Sequence, residues 1–146
     1  MPVERLDVPG QIEHEFAGDP RSPAGARSFA KSALGDLLTT PVPSSLCDDV
    51  ELVVSELVTN AVRAGSPTVR VGVAIKQDRV VVQVSDVAAG WPEPREAGIH
   101  DPRGRGLPLV SALSASWGVR RAPIGKVVWA ELPIPSDLPD ATSRPT

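Results

Sequence analysis

A chain of 146 residues is the ordinary length of one compact domain and is long enough to bury a hydrophobic core. The composition is 41% hydrophobic and 23% charged with a formal net charge of -3, which is typical of a globular protein without a membrane span or a basic stripe for nucleic acid. The N-terminal residues lack the apolar run of a secretory signal, and the single Cys47 has no internal disulfide partner. We therefore expect a cytoplasmic protein that contacts neither a membrane nor nucleic acid directly.

The two ends of the chain differ in composition from its middle. The segment from Pro133 onward combines Pro, Ser, Thr and Asp in proportions that do not pack a core. The first residues are also expected to be poorly ordered, as chain termini commonly are. The predicted organisation is a flexible N-terminus over residues 1–10, one domain over 11–134 and a loose tail over 135–146.

A first strand and two helices are predicted before residue 66. The segment QIEHEFAG alternates weakly, which favours an edge strand, and DPRSPAGARSFAKSALGDLLTT predicts a helix with Asp19 or Ser22 as its N-cap. The second helix is expected to begin at a capping box formed by Ser45 and Asp48 and to end at Gly65.

A β-hairpin follows, because valines alternate with other residues on both sides of a short polar turn at Gln77 and Asp78. Residues 87–106 are rich in Gly, Pro, Arg and Asp and predict a long loop, and a segment of this length inside a domain is commonly a lid or a binding loop. A helix over residues 107–116 and two strands, SWGVRR and KVVWAEL, complete the domain.

This order of elements does not show the regular alternation of a parallel α/β sheet. It predicts an α+β fold, a two-layer α/β sandwich in which a mixed, mostly antiparallel sheet carries helices on one face.

The second helix carries polar residues beside its apolar face. At about 100° per residue, one face collects apolar side chains: Leu46, Val50, Val53, Val54, Leu57 and Ala61. A neighbouring stripe contains Asp49, Glu56, Asn60 and Arg63, in which Glu56 and Asn60 are one turn apart. Such a stripe is either a solvated face or the wall of a site.

Two further features favour a site. Asp86 ends the second hairpin strand where the long loop begins, and strand ends that open into loops commonly carry functional residues. At the other end of the loop, Gly104 and Gly106 precede a helix whose unpaired N–H groups suit an anion. Together these features form an arrangement suited to binding a nucleotide: a carboxylate on a helix, an Asp at a strand end and glycines at the start of a helix.

On these residues the sequence resembles the GHKL ATP-binding fold of gyrase, histidine kinases, heat-shock chaperones and mismatch-repair ATPases, also called the Bergerat-type fold. Within it, the chain looks like the small bacterial anti-sigma-factor serine/threonine kinases. The stretch SELVTNA matches the family's N box. The resemblance implies that Glu56 is the general base and that Asn60 binds both ATP and Mg²⁺.

The two glycine boxes of the family also have counterparts. SDVAAGWP stands at the first box, which implies that Asp86 accepts a hydrogen bond from the adenine amino group, with Gly90 beside it. GRGL matches the second box and implies ATP contacts at Gly104, Arg105, Gly106 and Leu107. Two positions depart from the family pattern: Ala88 replaces the first glycine of the first box, and Val127 replaces a common Thr or Ser in the final strand.

The resemblance thus implies an Mg-ATP-binding regulatory protein that phosphorylates or sequesters a transcription-regulatory partner. The partner would be a sigma factor or an anti-sigma-factor antagonist, and the family commonly forms homodimers. Because Ala88 adds a Cβ where the base approaches, a non-catalytic partner-binding module with weak or no nucleotide binding is the alternative.

Overall fold

The computed structural model describes residues 10–87 and 106–135. In chain order the elements are β1 (Ile12–Ala17), α1 (Ser22–Leu37), α2 (Ser44–Arg63), β2 (Thr68–Lys76), β3 (Arg79–Asp86), α3 (Gly106–Leu113), β4 (Ser116–Arg121) and β5 (Lys126–Pro133). Across these two ranges, no helix combines the length and the apolar character needed to cross a membrane.

The strands form one five-stranded sheet in the order β1-β2-β3-β5-β4. Each neighbouring pair in this order is antiparallel. The two hairpins, β2-β3 and β4-β5, lie side by side through β3 and β5, and β1 forms one edge as its sequence predicted. The predicted α+β class, with a mostly antiparallel sheet and helices packed on it, is confirmed.

The core lies between one face of the sheet and the helices α1 and α2. The buried side chains on this face alternate along β2 and β3, as the period of a half-buried strand requires: Val69, Val71, Val73, Val80, Val82 and Val84. These valines pack against the predicted apolar face and Val58 of α2, and against four residues of α1: Ala26, Ala30, Ala33 and Leu34. All six apolar residues predicted for α2 are buried.

The starts of both long helices differ from the predictions. Arg21 occupies the N-cap position of α1, and Pro43 that of α2, and neither helix has a side-chain cap. The Asp19 carboxylate instead accepts a hydrogen bond from the Arg21 backbone N–H at 2.7 Å, so it shapes the turn before the helix. The predicted capping box at Ser45 is wrong because α2 begins one residue earlier, at Ser44.

The predicted ends and turns agree better with the structure. Gly65 follows α2 with φ 90, and Gln77 takes φ 59 in the tight turn between β2 and β3. The helix α3 ends at Leu113, three residues before the predicted end at Ser116, which is already the first residue of β4.

Candidate functional site

The polar flank of α2 is present as predicted. The side chains of Asp49, Glu56 and Asn60 are half-buried, whereas Arg63 is exposed. Within residues 10–87 and 106–135, neither the Glu56 carboxylate nor the Asn60 amide makes a side-chain hydrogen bond or ion pair. The hydrogen-bonding groups of this pair are therefore open to water or to a ligand.

Next to this flank, α1 and α2 are joined by a polar contact. The Arg27 guanidinium on α1 donates a hydrogen bond of 2.9 Å to the Ser55 hydroxyl, which directly precedes Glu56 in α2. This contact links α1 to α2 beside the polar flank.

Asp86 lies at the end of β3 and is almost completely buried, with 3% of the residue exposed. Directly opposite it in the β3-β5 register is Lys126, and the Lys126 Nζ lies 2.6 Å from the Asp86 Oδ2. The Lys126 side chain is 10% exposed, so both charges lie largely out of water. An ion pair at this distance and depth is a charge-assisted hydrogen bond whose partners depend on each other.

The backbone around this pair leaves no room for a side chain at Gly125. The residue has φ 77, and a Cβ there would lie 1.8 Å from the carbonyl oxygen of Asp86. Glycine therefore allows the start of β5 to approach the end of β3 and brings Lys126 against Asp86.

Ser66 connects the end of β3 to the end of α2. Its hydroxyl accepts a hydrogen bond from the Val87 backbone N–H at 3.0 Å and donates one to the Thr68 carbonyl at 2.5 Å. Its own backbone N–H donates to the Ala61 carbonyl in the last turn of α2. Since Asn60 immediately precedes Ala61, the last turn of α2 and the strand end carrying Asp86 are held together.

The third part of the site is the start of α3. This helix begins at Gly106, contains Leu107 and packs against α2 and β4. The first N–H groups of a helix lack intrahelical partners and attract anions. Gly90, Gly104 and Arg105, together with Ala88, lie outside the described residues.

The described residues hold no cluster of three or more His, Cys, Asp or Glu side chains that fits a metal ion. Mg²⁺ keeps several waters and is commonly bound through few protein oxygens plus substrate phosphates. The half-buried Asn60 amide oxygen fits that arrangement.

Two residues of this region were not predicted as part of a site. Lys126 carries a detectable signal, because it alternates with Val128 and Ala130 on the core side of β5, where a charge needs a partner. Ser66 carries no such signal, since a serine before a proline in a turn is common in proteins.

The comparisons with known proteins agree with this geometry. A search of curated proteins gives no match. Among solved structures, the histidine kinase domain of the Erythrobacter litoralis EL346 blue-light activated histidine kinase superposes with a TM-score of 0.51 and 25% identity, covering 68% of this chain and 50% of that chain. The present chain therefore spans half of the length of that structure. The Acinetobacter baumannii histidine kinase AdeS gives a TM-score of 0.50 and 17% identity, covering 88% of this chain and 69% of that one, and it supports the fold alone.

The family match covers most of the chain. Residues 16–132 match the family described as the histidine kinase-like ATPase domain. This range begins at Phe16 in β1 and ends at the penultimate residue of β5, so it contains every other described element. It also contains the site residues Glu56, Asn60, Asp86 and Lys126. The chain therefore belongs to the histidine kinase-like ATPase domain family.

Proposed function

We propose that this protein binds Mg-ATP between the flank of α2, the Asp86 end of β3 and the start of α3. The observation that carries the proposal is the pair of half-buried polar groups on α2, Glu56 and Asn60, which have no side-chain partner among the described residues. Their helix is tied through Ser66 to the strand end bearing Asp86. Family membership supports the same ligand, because the matched family is an ATPase domain.

Each residue type suits its proposed role. Asp86 accepts a hydrogen bond from the adenine amino group, and the N–H groups at Gly106 face the phosphates. Asn60 contributes an amide oxygen to Mg²⁺, which offsets the charge of the triphosphate when bound. Gly90, Gly104, Arg105 and Leu107 complete the proposed nucleotide contacts.

Glu56 is the proposed general base. A carboxylate one turn from the Asn60 amide is positioned to take the proton from a hydroxyl that attacks the terminal phosphate. The attacking group would be a serine or threonine of a regulatory protein. The protein would then be a serine/threonine kinase of the anti-sigma-factor type, which the N box and the second glycine box favour. It would act on a sigma factor or an antagonist, and as a homodimer if it resembles the family in this respect too.

The direct test of nucleotide binding is calorimetry with Mg-ATP on the wild type and on Asp86→Ala. We expect saturable binding by the wild type and a loss of at least tenfold in affinity for the variant, because hydrogen bonds to charged groups contribute about 1.5–3 kcal/mol. Asp36→Ala, at an exposed position on α1, is the matched control and should bind like the wild type. No binding by the wild type, or equal affinity of Asp86→Ala, contradicts the proposal.

A second function is favoured by one observation, the ion pair between Asp86 and Lys126. Because the carboxylate proposed to bind adenine already has a buried cationic partner, a partner-binding module with weak or no nucleotide affinity is the alternative. Capture of a sigma factor with equal efficiency in the presence and absence of Mg-ATP would support the module. Capture that depends on Mg-ATP would support the nucleotide-dependent regulator.

A further inference from the structure

Ser66 is a small polar residue that lies almost completely buried between the end of α2 and the start of β2. Its backbone N–H donates a hydrogen bond of 3.2 Å to the Ala61 carbonyl in the last turn of α2. Its hydroxyl donates to the Thr68 carbonyl and accepts from the Val87 N–H at 3.0 Å. A serine hydroxyl has one donor hydrogen, so the donor is used at Thr68 and an acceptor lone pair at Val87.

We propose that Ser66 is a positioning residue for adenine recognition. Through the Val87 N–H it holds the end of β3, and with it the Asp86 carboxylate, in the orientation that receives the adenine amino group. Ser66 acts through Asp86 and does not itself contact the nucleotide. This inference rests on the proposed nucleotide site and concerns how that site keeps its shape.

The sheet register places the Ser66 hydroxyl where the pairing of β2 with β3 ends. Val69 and Asp86 are the last partners in that register. The hydroxyl binds one group on each side of this end, the Thr68 carbonyl that precedes Val69 and the Val87 N–H that follows Asp86. It therefore extends the connection between the two strands by one residue past Asp86.

The position of Ser66 is itself closely defined by backbone contacts. A Cβ added at Gly18 would lie 1.8 Å from the Ser66 carbonyl oxygen, and the Gly18 N–H donates a hydrogen bond of 2.9 Å to the Pro67 carbonyl. The turn after β1 therefore lies directly against Ser66, while the hydrogen bond to Ala61 attaches Ser66 to α2. Because two elements hold this residue, its hydroxyl is a fixed acceptor for the Val87 N–H.

The same residue connects the two ends of the proposed site. Ala61 directly follows Asn60, the proposed Mg²⁺ ligand, and Val87 directly follows Asp86. Binding groups must be held within about 0.5 Å of the productive geometry by surrounding packing and hydrogen bonds. Removal of the Ser66 hydroxyl releases the Val87 N–H but leaves the backbone hydrogen bond to Ala61 in place. The base end of the site should therefore be disturbed more than the phosphate end.

The test compares Mg-ATP with the Mg²⁺ complex of purine riboside triphosphate, which lacks the 6-amino group, by calorimetry on the wild type and Ser66→Ala. We expect the wild type to prefer ATP by about tenfold, the size expected of one hydrogen bond to a charged group. Ser66→Ala should lose most of that preference, because its affinity for ATP falls while its affinity for the analogue stays nearly constant. Ser32→Ala, at an exposed position of α1, is the control and should keep the preference of the wild type.

A loss for the analogue that equals or exceeds the loss for ATP gives Ser66 a general structural role and overturns the inference. Unchanged affinity for ATP in Ser66→Ala overturns it as well, and both results leave the ATP site standing. Equal affinities of the wild type for the two nucleotides contradict the role of Asp86, and the role of Ser66 fails with it. Absence of binding by the wild type overturns the proposed site and this inference together.

A double-mutant cycle assigns the effect to Asp86. Residues that act through one interaction are not additive, so Ser66→Ala should change the ATP affinity much less in an Asp86→Ala background than in the wild type. Additive losses overturn the inference. If circular dichroism shows Ser66→Ala unfolded, Ser66→Cys takes its place under the same criteria, because a thiol has nearly the size of the hydroxyl but is a weaker hydrogen-bonding group.

Discussion

The Ser66 hydroxyl accepts a hydrogen bond of 3.0 Å from the Val87 backbone N–H, and this contact joins the turn after α2 to the residue that follows Asp86. Ser66 is 2% exposed, and the same hydroxyl donates to the Thr68 carbonyl. The Ser66 hydroxyl is thus the hydrogen-bond partner of two backbone groups, the Val87 N–H and the Thr68 carbonyl. These contacts tie the end of β3 to the turn after α2.

Replacement of Ser66 by alanine should therefore destabilise the protein. Loss of the hydroxyl removes two part-buried hydrogen bonds, to the Val87 N–H and the Thr68 carbonyl, and at about 0.5–1.5 kcal/mol each this costs about 1–3 kcal/mol in the free energy of unfolding. Urea denaturation followed by circular dichroism measures the change. Ser32→Ala, at an exposed position of α1, should alter the free energy by less than about 0.5 kcal/mol. Equal stabilities of the two variants would show that the Ser66 contacts contribute nothing.

Alanine substitutions at Gly125 and Gly65 separate two contributions to the free energy of unfolding: the close approach of two strands and the strain of a positive φ. Both glycines have positive φ, but only at Gly125 does an added Cβ meet backbone, 1.8 Å from the Asp86 carbonyl oxygen. We expect Gly65→Ala to cost about 1 kcal/mol in the free energy of unfolding through the dihedral alone. Gly125→Ala should cost at least about 2 kcal/mol more, because β5 must move away from β3. Similar losses for both variants in thermal or urea unfolding would contradict the close approach.

The Cys47 thiol should react slowly with alkylating agents. Burial and the hydrogen bond of 3.1 Å to the Glu51 carboxylate raise the pKa of Cys47 to about 11, and only the thiolate reacts. Compared with a thiol at the ordinary value of 9.0, the thiolate fraction at pH 8 is about hundredfold lower. Since the folded-state pKa is raised, the unfolded chain loses this proton first, and folding stability should fall as pH rises between about 9 and 11.

Iodoacetamide labelling across this pH range measures the rate for the folded and the urea-unfolded protein. Glu51→Gln removes a negative charge next to the thiol and should speed labelling of the folded protein, although the larger contribution of burial remains. A folded rate equal to the unfolded rate at pH 8 would contradict the raised pKa of the thiol.

The sequence predicts the fold well because its strongest signals are periodic. Alternating valines in β2 and β3 and the apolar stripe of α2 each specify one face, and a shift of one residue would expose that face to water. The helix starts were predicted less well, because the predictions relied on side chains that commonly cap helices, and neither long helix has a side-chain cap. At Ser44, α2 begins directly after Pro43, and no side chain caps it.

The site was predictable only in part. Glu56, Asn60 and Asp86 are visible in the sequence as polar residues at positions where apolar ones would also fit. The partnership of Asp86 with Lys126 depends on a register between β3 and β5, which are far apart in the chain and are paired only in the folded sheet. The close approach at Gly125 depends on the same pairing. Such relationships arise from tertiary structure, and no local pattern encodes them.

Glu56→Gln separates nucleotide binding from chemistry at the proposed site. The amide keeps the size of the side chain but cannot accept a proton as a base. Mg-ATP should therefore bind within about threefold of the wild-type affinity. Release of the terminal phosphate should slow by roughly two to four orders of magnitude, which is the usual contribution of general-base catalysis. Single-turnover release of phosphate, with water in place of the partner's hydroxyl, measures the rate, and calorimetry measures the affinity. Asp48→Asn, at an exposed position of the same helix, is the matched control and should retain both. A Glu56→Gln protein that releases phosphate as fast as the wild type would show that Glu56 is not the base, and the half-buried carboxylate on α2 would then need another role.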